Sequence, residues 1–394
     1  MTRCDHRGGS SLADALAAEL EALKTEGLYR ARSSLESSQG PRVDVAGRRY
    51  VSFASNDYLG LAADPRLVEA AREAAGRYGI GAGASHLLYG HGCVHDELEQ
   101  ALAAFVGFPR ALLFSTGYMA NLGIVTALCG RDDEIFADRL NHASLNDAMV
   151  LSRARFRRYP HLDLDRLERD LARSRARRKL VITDAVFSMD GDLTPVPELV
   201  DVCERHGAFA LLDDAHGFGV LGAHGAGILS HFNARSERVL YMGTLGKAAG
   251  VYGAFVAADS AVIDYLVNRA RTYVYTTAIP PMLAAVLARS LEIIRSEDWR
   301  RRHLSELRRA LTEGLGPDGA RLLRSPTPIQ PFVLGGVDQA MRAAKELEAE
   351  GFIVPAIRPP TVPRGSARLR ISLSAGHRIA DVARLATALR SVGQ

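Results

Sequence analysis

The sequence has few cysteines, and no two of them stand close together. Cys4, Cys93, Cys129 and Cys203 are scattered along 394 residues, with no C-x-x-C spacing. Cysteine ligands of metals and redox-active cysteine pairs normally lie within a few positions of each other. We therefore predict no metal site, and we expect free thiols in a reducing compartment.

Long apolar runs and a strong net charge are also missing. No run reaches the 18 or so apolar residues that a membrane-spanning helix needs. The first residues include Arg3, Asp5, His6 and Arg7 with no apolar core behind them, which is unlike a secretory signal peptide. We expect a cytoplasmic protein with no membrane contact. The formal net charge of +4 is small for this length and does not indicate binding to nucleic acid.

The composition that remains is typical of a globular enzyme. Hydrophobic residues make up 47% of the chain and charged residues 24%. A chain of 394 residues is long enough to form two domains around a substantial core.

Apolar runs that predict strands alternate with segments of helical periodicity through the first two thirds of the chain. The runs lie at residues 50–53, 111–114, 134–137, 180–183, 208–212 and 239–242. Alternation of this kind is typical of a parallel sheet that is covered by helices on both faces. We therefore predict an α/β fold with a mostly parallel central sheet.

The pattern changes after Pro280 and Pro281 to long helices, two strands near 331–334 and 368–372, and a closing helix from about Arg378. This tail predicts a smaller C-terminal α+β domain. Our predicted division is an N-terminal helix and arm at 1–50, a large domain at 51–285 and a small domain at 286–394. The N-terminal helix would be capped by Ser10 or Ser11 and would end near Gly27.

Two polar residues follow predicted buried strands. Lys247 stands on a glycine-containing turn after the run 239–242, and Asp213 follows the run 208–212. A lysine at a strand end can be an ordinary solvated side chain, but it can also hold its amine in a pocket and form a Schiff base with an aldehyde cofactor. Pyridoxal phosphate needs such a lysine together with a carboxylate for its ring nitrogen. The pair therefore favours this cofactor.

Other loops at the same predicted sheet edge also carry polar groups. Residues 115–121 lie between a strand and a helix, where exposed amides can hold a phosphate. His142 follows the next strand, and residues 186–192 follow the one after it. The glycine-dense segment 79–86 can cradle an anion or can simply be flexible. Doubly wound proteins bind their ligands at this edge of the sheet.

The chain resembles the α-oxoamine synthases, which are pyridoxal-phosphate-dependent transferases of fold type I. The resemblance covers nearly the whole chain, from about Leu28 to the last helix. It is carried by NDYLG at 56–60, STGY at 115–118, D-x-x-N-H at 138–142, VFSMDG at 186–191, DDAHG at 213–217 and GTLGK at 243–247. It implies an acyltransferase that joins an amino acid to an acyl thioester with loss of carbon dioxide.

The resemblance also implies roles for residues around the cofactor ring. Lys247 would carry the cofactor and later remove the proton from the Cα of the amino acid. Asp213 would pair with the protonated ring nitrogen. His142 would stack on the ring and donate a proton to the substrate. Ser188 and His216 would approach the ring hydroxyl.

For the cofactor phosphate, the resemblance implies the amides of Gly117 and Tyr118 and the hydroxyl of Thr244. Thr276 and Thr277 lie on a segment that crosses to the phosphate of the partner subunit in relatives. The expected assembly is therefore a homodimer with shared active sites. The alternative is that this segment is a plain interdomain turn.

For the substrates, the resemblance assigns the amino-acid carboxylate to Arg370, whose planar guanidinium suits it, with Asn56 close by. Arg30 is the expected contact to the acyl substrate, although Arg32 fits nearly as well. Thr361 would line the acyl path. The segment 356–370 is similar to the branch of the family that joins L-alanine to a pimeloyl thioester in biotin biosynthesis, on coenzyme A or on an acyl carrier protein. Glycine C-acetyltransferase is the alternative activity.

Two arginine-rich segments, 153–158 and 173–179, have no place in this scheme. They are either solvated faces beside a strand or a contact for a phosphate-bearing acyl carrier, which is coenzyme A or an acidic carrier protein.

Overall fold

The computed structural model describes residues 11–392, so Cys4, the charged residues at the start of the chain and the alternative helix cap Ser10 lie outside it. The helices are α1 Leu12–Thr25, α2 Pro65–Tyr78, α3 Cys93–Val106, α4 Gly117–Leu128, α5 Ala143–Leu151, α6 Leu164–Arg173, α7 Val196–Arg205, α8 Ile228–Phe232, α9 Ser260–Arg269, α10 Arg271–Val274, α11 Pro281–Ser296, α12 Asp298–Leu315, α13 Val337–Ala349 and α14 Ile379–Ser391. The strands are β1 Arg42–Val45, β2 Arg48–Ser52, β3 Arg110–Phe114, β4 Glu134–Asp138, β5 Arg155–Tyr159, β6 Lys179–Asp184, β7 Phe209–Asp213, β8 Val239–Thr244, β9 Ala254–Ala258, β10 Ile329–Gly335, β11 Phe352–Ile353, β12 Ala356–Ile357 and β13 Ala367–Ser372.

The central sheet has the strand order β3-β9-β8-β7-β6-β4-β5. The pairs β8-β7, β7-β6, β6-β4 and β4-β5 are parallel, whereas β9 runs antiparallel to both of its neighbours. The interior strands are almost continuously apolar because side chains on both faces of the sheet are covered. The predicted α/β fold with a mostly parallel sheet is confirmed.

Successive side chains of each central strand pack into two different apolar clusters. In β8, Tyr241 belongs to the cluster on one face of the sheet, and Leu240 and Met242 belong to the cluster on the other face. This follows from the alternation of side chains along a strand. The first cluster continues to Leu307 of α12 and Leu369 of β13, so one core joins the central sheet to the C-terminal elements.

The C-terminal elements form a smaller antiparallel sheet with the order β10-β13-β12. A third sheet pairs β1 with β2, and β11 adds to β2 in parallel. The predicted domain boundary at 285/286 falls inside α11, and the one at 50/51 falls inside β2. The division into three parts stays a prediction.

Helix α1 begins as the sequence predicts, with Ser11 at its N-cap and Asp14 completing a capping box. None of its residues is buried in the described part of the chain. No helix between residues 11 and 392 is long and apolar enough to cross a membrane.

Candidate active site

A cavity of about 170 Å³ lies at the carboxyl ends of β3, β4, β6, β7 and β8. It is lined by Gly117, Tyr118, His142, Ser144, Asp184, Val186, Asp213, Ala215, His216, Met242, Thr244 and Lys247. The parallel strands bring these residues together because each strand delivers its following loop to the same edge of the sheet. A larger cavity of about 550 Å³ near Phe105 and Leu229 has no lysine in its lining.

The amine of Lys247 lies inside the protein at the end of the β8 turn. Its Nζ is 2.8 Å from Nε2 of His216. Burial lowers the pKa of Lys247 to about 8, although the nearby carboxylate of Asp213 opposes this shift. A lysine with this pKa is partly neutral near physiological pH, and the neutral amine is the form that attacks an aldehyde.

A chain of buried polar groups connects Lys247 to Arg370. Nδ1 of His216 is 2.6 Å from the hydroxyl of Tyr58, which donates to Oδ1 of Asn56 at 3.1 Å. Arg370 donates from Nη1 to the same Asn56 oxygen at 3.1 Å and from Nη2 to the Tyr58 hydroxyl at 3.4 Å. Burial, followed by the charge on Lys247, lowers the pKa of His216 well below its usual value, so this imidazole is neutral.

Arg370 is a buried cation with no carboxylate partner among the described residues. Its side chain sits on β13, and the residue is only 6% exposed. Its guanidinium also donates to the backbone oxygen of Ser188 at 2.6 Å and to the hydroxyl of Ser372 at 2.7 Å. These partners are neutral, and a buried charge is normally paired with an opposite charge. The position therefore suits an anionic ligand.

Asp213 is held as an acceptor by two donors. The side-chain nitrogen of Asn121 donates to Oδ2 at 2.7 Å, and the backbone N–H of Ala215 donates to Oδ1 at 3.0 Å. These two donors fix the position and orientation of the carboxylate. An ionised carboxylate is the partner that a protonated pyridine nitrogen needs.

The same Asn121 fixes the tautomer of His142 through Ser144. Asn121 Nδ2 donates to the Ser144 hydroxyl at 2.8 Å. The opposite orientation of the amide is excluded, because its oxygen would then face the Asp213 carboxylate. The hydroxyl hydrogen of Ser144 is then directed to Nδ1 of His142 at 2.8 Å. The backbone N–H of Ser144 points to the same atom at 3.3 Å. Nδ1 therefore accepts, and the neutral ring carries its proton on Nε2.

Burial lowers the pKa of His142 below its usual value, in spite of the nearby charge on Asp213. Its backbone N–H donates at 3.2 Å to Asp184, a buried carboxyl at the end of β6. Burial, followed by repulsion from Asp213, raises the pKa of Asp184 well above its usual value. The surroundings of Asp184 therefore favour its neutral form.

The N-terminus of α4 offers backbone donors to the cavity. Thr116 caps the helix by accepting from the N–H of Met119 at 3.1 Å. Gly117 and Tyr118 are the first helical residues, and the amides of such residues point out of the helix end. The Thr244 hydroxyl lies 4.0 Å from the place that a Cβ on Gly117 would occupy. The amides of Gly117 and Tyr118 and the hydroxyl of Thr244 thus lie around one small space that suits a phosphate.

Four residues in this region were not among the predicted site residues: Asn121, Tyr58, Ser144 and Asp184. Tyr58 and Asn121 lie within segments described above, and Ser144 lies two positions after the D-x-x-N-H motif, but nothing in the motif spacing shows which neighbours they contact. Asp184 stands at the end of an apolar strand, just as Asp213 does, so the same reasoning applied to β6 would have found it.

Several predicted site residues do not line this cavity. Ser188 contributes its backbone oxygen to Arg370. Thr276 and Thr277 follow α10 at the surface, where Thr277 forms an isolated β-bridge with Ser85.

Arg30, Arg32 and Thr361 are exposed. Arg358 donates to the backbone oxygen of Tyr29 at 3.1 Å, so the N-terminal arm lies beside the segment that carries Thr361. The structure thus brings together the two regions assigned to the acyl substrate, and the roles of their residues stay predictions.

The arginine-rich segments lie mostly at the opposite edge of the central sheet. Arg155 begins β5 and Lys179 begins β6, and both pair in register with Glu134 at the amino end of β4. Arg177 pairs with Asp133, and Arg157 with Glu134. The segment 173–179 is therefore separated from the cavity by the length of a strand, which favours the interpretation of a solvated face.

The residues of this cavity fit pyridoxal phosphate. Lys247 is available for an aldehyde, Asp213 for a pyridine nitrogen, and the first amides of α4 with Thr244 for a phosphate. His142 and the neutral His216 complete the lining with groups that can stack on or hydrogen-bond an aromatic ring.

Comparisons with known proteins agree with this geometry. The aminotransferase class I and II family matches residues 48–389. The sequence is 60% identical over 365 residues to an 8-amino-7-oxononanoate synthase of Nitrosospira multiformis, covering 93% of this chain and 92% of that protein. It is 59% identical over 387 residues to a protein of the same name from Nitrosomonas europaea, covering 97% and 100%.

Solved structures share the fold. Serine palmitoyltransferase of Sphingomonas wittichii superposes with a TM-score of 0.91 at 33% identity and covers 97% of both chains. The 8-amino-7-oxononanoate synthase of Francisella tularensis gives a TM-score of 0.75 at 31% identity, covering 87% of this chain and 97% of that one. The fold is thus common to enzymes of different names, whereas sequence identity separates them. On both grounds, the chain belongs to the aminotransferase class I and II family and, within it, to the 8-amino-7-oxononanoate synthases.

Proposed function

We propose that this chain joins L-alanine to a pimeloyl thioester, using pyridoxal phosphate, and releases 8-amino-7-oxononanoate, carbon dioxide and a free thiol. The identity of 59–60% to proteins named for this product, over nearly the whole chain, supports the choice of reaction. The observation in the structure that carries the proposal is that Lys247 and Asp213 line one cavity. A polar chain connects that cavity to the buried, unpaired Arg370.

When bound, pyridoxal phosphate supplies an aldehyde to which an amine can attach and a protonated ring that withdraws electrons from the attached amino acid. Asp213 would pair with the ring nitrogen, and its two donors fix the position of the carboxylate for that contact. Asp184, protonated and beside it, adds no second charge.

Arg370 binds the carboxylate of L-alanine. Its guanidinium is held by Ser188 and Ser372, so the carboxylate is oriented as well as bound. Fixing the carboxylate would fix the orientation of the Cα of alanine relative to Lys247. Asn56 shares a hydrogen bond with Arg370 and sits beside the same carboxylate.

Lys247 removes the proton from the Cα of alanine. A base works best when its pKa lies near the working pH, and burial brings the pKa of Lys247 to about 8. The neutral His216, 2.8 Å away, can accept a hydrogen bond from the Lys247 amine whether the amine is neutral or protonated.

His142 donates a hydrogen bond from Nε2–H to the substrate during formation of the carbon–carbon bond. The chain from Asn121 through Ser144 keeps that proton on the correct nitrogen. Because burial lowers the pKa of the ring, His142 starts this step as a neutral donor that does not repel the cofactor's protonated ring.

For the acyl substrate we propose contacts from Arg30 and Thr361, with Arg32 as the alternative to Arg30. The contact of the N-terminal arm with Arg358 supports a shared acyl path. The thioester carrier is coenzyme A or an acyl carrier protein. The arginine-rich segment at the far edge of the sheet gives no support to a carrier-binding role for itself.

We further propose a cytoplasmic homodimer in which Thr276 and Thr277 reach the cofactor phosphate of the partner subunit. Thr277 is exposed, Thr276 is half-buried, and neither lines the cavity of its own chain, which supports this role.

The test is to supply L-alanine with pimeloyl-coenzyme A or with pimeloyl carrier protein and to look for 8-amino-7-oxononanoate by mass spectrometry. Glycine with acetyl-coenzyme A is the matched control for glycine C-acetyltransferase. Product from L-alanine and either pimeloyl thioester is expected. Product from glycine alone would overturn the assignment.

A further inference from the structure

His161 bridges two carboxylates that come from different elements. It lies on the turn after β5, where its Nδ1 is 3.1 Å from Oδ1 of Asp138 and its Nε2 is 2.7 Å from Oδ2 of Asp192. The edge of its ring meets the ring of Phe187 at a centroid distance of 4.4 Å. None of these residues lines the cofactor cavity, and the proposed reaction assigns them no role.

Asp138 is the fixed end of this bridge. It closes β4, is 0% exposed, and accepts the backbone N–H groups of Leu140 and Leu162 at 2.8 Å each. Its carboxylate therefore holds the turns that follow β4 and β5 in place, and His161 is attached to a rigid part of the sheet.

Asp192 is the other end of the bridge, and it belongs to the loop of residues 187–192. The loop is closed by hydrogen bonds from the N–H of Phe187 to Asp192 O at 3.1 Å and from the N–H of Gly191 to Phe187 O at 2.8 Å. The hydroxyls of Ser325 and Thr327 donate to Gly191 O at 2.9 and 3.3 Å. Further contacts to the Ser188 end of the loop come from β13. Arg370 donates to Ser188 O at 2.6 Å, and Arg368 forms an ion pair with Asp190.

The bridge requires a protonated imidazole. A neutral ring has one N–H, so one of the two carboxylates would face a lone pair. Burial alone would lower the pKa of His161, but the hydrogen bonds and charges of Asp138 and Asp192 outweigh it and raise the pKa to about 10. The other charged groups of this region, Asp190 and Arg368, pair with each other.

We propose that His161 is a positioning residue: as a permanent cation between Asp138 and Asp192, it holds the 187–192 loop so that Ser188 O orients the guanidinium of Arg370. The part of this proposal that concerns L-alanine rests on the proposed function. The proposed contact by which His161 holds the 187–192 loop does not depend on the proposed function.

The first test replaces His161 by glutamine, which can satisfy only one carboxylate with a hydrogen-bond donor. We expect the KM for L-alanine to rise roughly tenfold with kcat changed by less than about twofold, since a charge-assisted hydrogen bond that orients a binding group is lost. His206→Gln is the matched control, because His206 also contacts a carboxylate, Glu168 at 3.3 Å, but lies at the end of α7.

The second test uses Asp192→Asn, which keeps an acceptor for His161 but removes a charge. The pKa of His161 is then lower, so the ratio of the KM for L-alanine in the variant to that in the wild type should rise between pH 7 and 9. The titration of Lys247 is common to both proteins and cancels in the ratio. A ratio that stays flat across this range would overturn the role of the charge.

Hydrogen exchange of the peptide covering residues 186–194 reads the loop without any turnover. Faster exchange in His161→Gln, but not in His206→Gln, is expected. If exchange and KM are both unchanged, the proposal is wrong. If L-alanine is not a substrate at all, the exchange result still decides whether His161 holds the loop, and the two failures can be told apart. Should His161→Gln fail to fold, Asp192→Asn carries both measurements.

Discussion

At the scale of single residues, the cavity is defined by which polar groups have partners and which do not. Asp213 has two donors, whereas the buried guanidinium of Arg370 has no carboxylate partner in the described chain. Lys247 faces a neutral imidazole in place of an acid. Each unmatched group corresponds to a part of the proposed ligands: an aldehyde for the amine and a carboxylate for the guanidinium.

Lys247→Ala should bind pyridoxal phosphate through the remaining phosphate and ring contacts but should not turn over L-alanine. The reason is that the amine acts both as the attachment point and as the base. Cofactor content after dialysis and product formation by mass spectrometry measure the two effects. Lys345→Ala, at an exposed position of α13, is the control and should keep full activity. Turnover by the first variant would refute the role of Lys247.

Ser144→Ala should lower kcat by roughly tenfold, because Nδ1 of His142 keeps only the backbone donor and the proton is less firmly held on Nε2. The KM for L-alanine should change little, since Ser144 makes no contact with Arg370. Ser144→Thr retains the hydroxyl and should recover most of the loss, and Ser305→Ala on the exposed side of α12 should behave like the wild type. Equal losses in the alanine and threonine variants would count against the assigned tautomer.

At the scale of elements, a clear apolar run predicted most strands of the central sheet but not all of them. Strand β9 is apolar and buried throughout, yet it was not predicted. The predicted runs at 180–183, 208–212 and 239–242 became β6, β7 and β8, because burial on both faces leaves a continuous apolar signal. The edge strand β5 was not predicted. Four of its five side chains are exposed, so arginines replace the apolar pattern. The short strands β11 and β12 have only two residues each, too few for any periodicity.

The candidate site could also be predicted only in part, namely where its residues follow a strand that the sequence shows. Lys247, Asp213 and His142 stand directly after strand signals, so their shared edge follows from the order of strands. Asn121 is different: it acts from within α4 on Asp213, 92 positions away. Contacts of that separation depend on how helices pack on the sheet, and a single sequence does not show them.

Asp214, directly after β7, should make the stability of the protein depend on pH. Burial raises the pKa of Asp214 to about 7, against about 3.9 in an unfolded chain. The folded state thus binds the proton more tightly, and the free energy of unfolding should fall as the pH rises from about 4 to about 7. Asp214→Asn keeps acceptors for Ile228 N–H and the Tyr241 hydroxyl, so it should flatten this dependence.

The measurement is the melting temperature of both proteins at several pH values in that window. Asp165→Asn, on the first turn of α6, is the control and should keep the wild-type slope. An unchanged slope in Asp214→Asn would show that another group is responsible.

At the scale of the whole molecule, the larger of the two apolar clusters of the described residues joins the central sheet to β13. Arg370 and Lys247 therefore belong to a single packed body in spite of a separation of 123 positions. Thr276 and Thr277 are not among the residues that line the cavity of their own chain. The proposed homodimer would place them at the partner's cavity, and this can be tested by mixing two inactive variants.

Mixing Lys247→Ala with a Thr276→Ala, Thr277→Ala double variant should restore activity if the threonines serve the partner's phosphate. In a mixed dimer, one of the two sites then has both its own lysine and intact threonines from the other chain. With random exchange of subunits, about a quarter of all sites become complete. The activity of the mixture is measured against that of each variant alone, and activity equal to their simple average would contradict shared sites.

The cavity takes its lining from residues 117–247 alone, while the segments assigned to the acyl chain come from both ends of the sequence. Under the proposed assignments, substitutions near the two ends of the chain can change which acyl thioester the enzyme accepts. The residues that bind the cofactor stay unchanged. A laboratory that wishes to lengthen or shorten the accepted chain should begin its libraries at Arg30, Arg32 and Thr361.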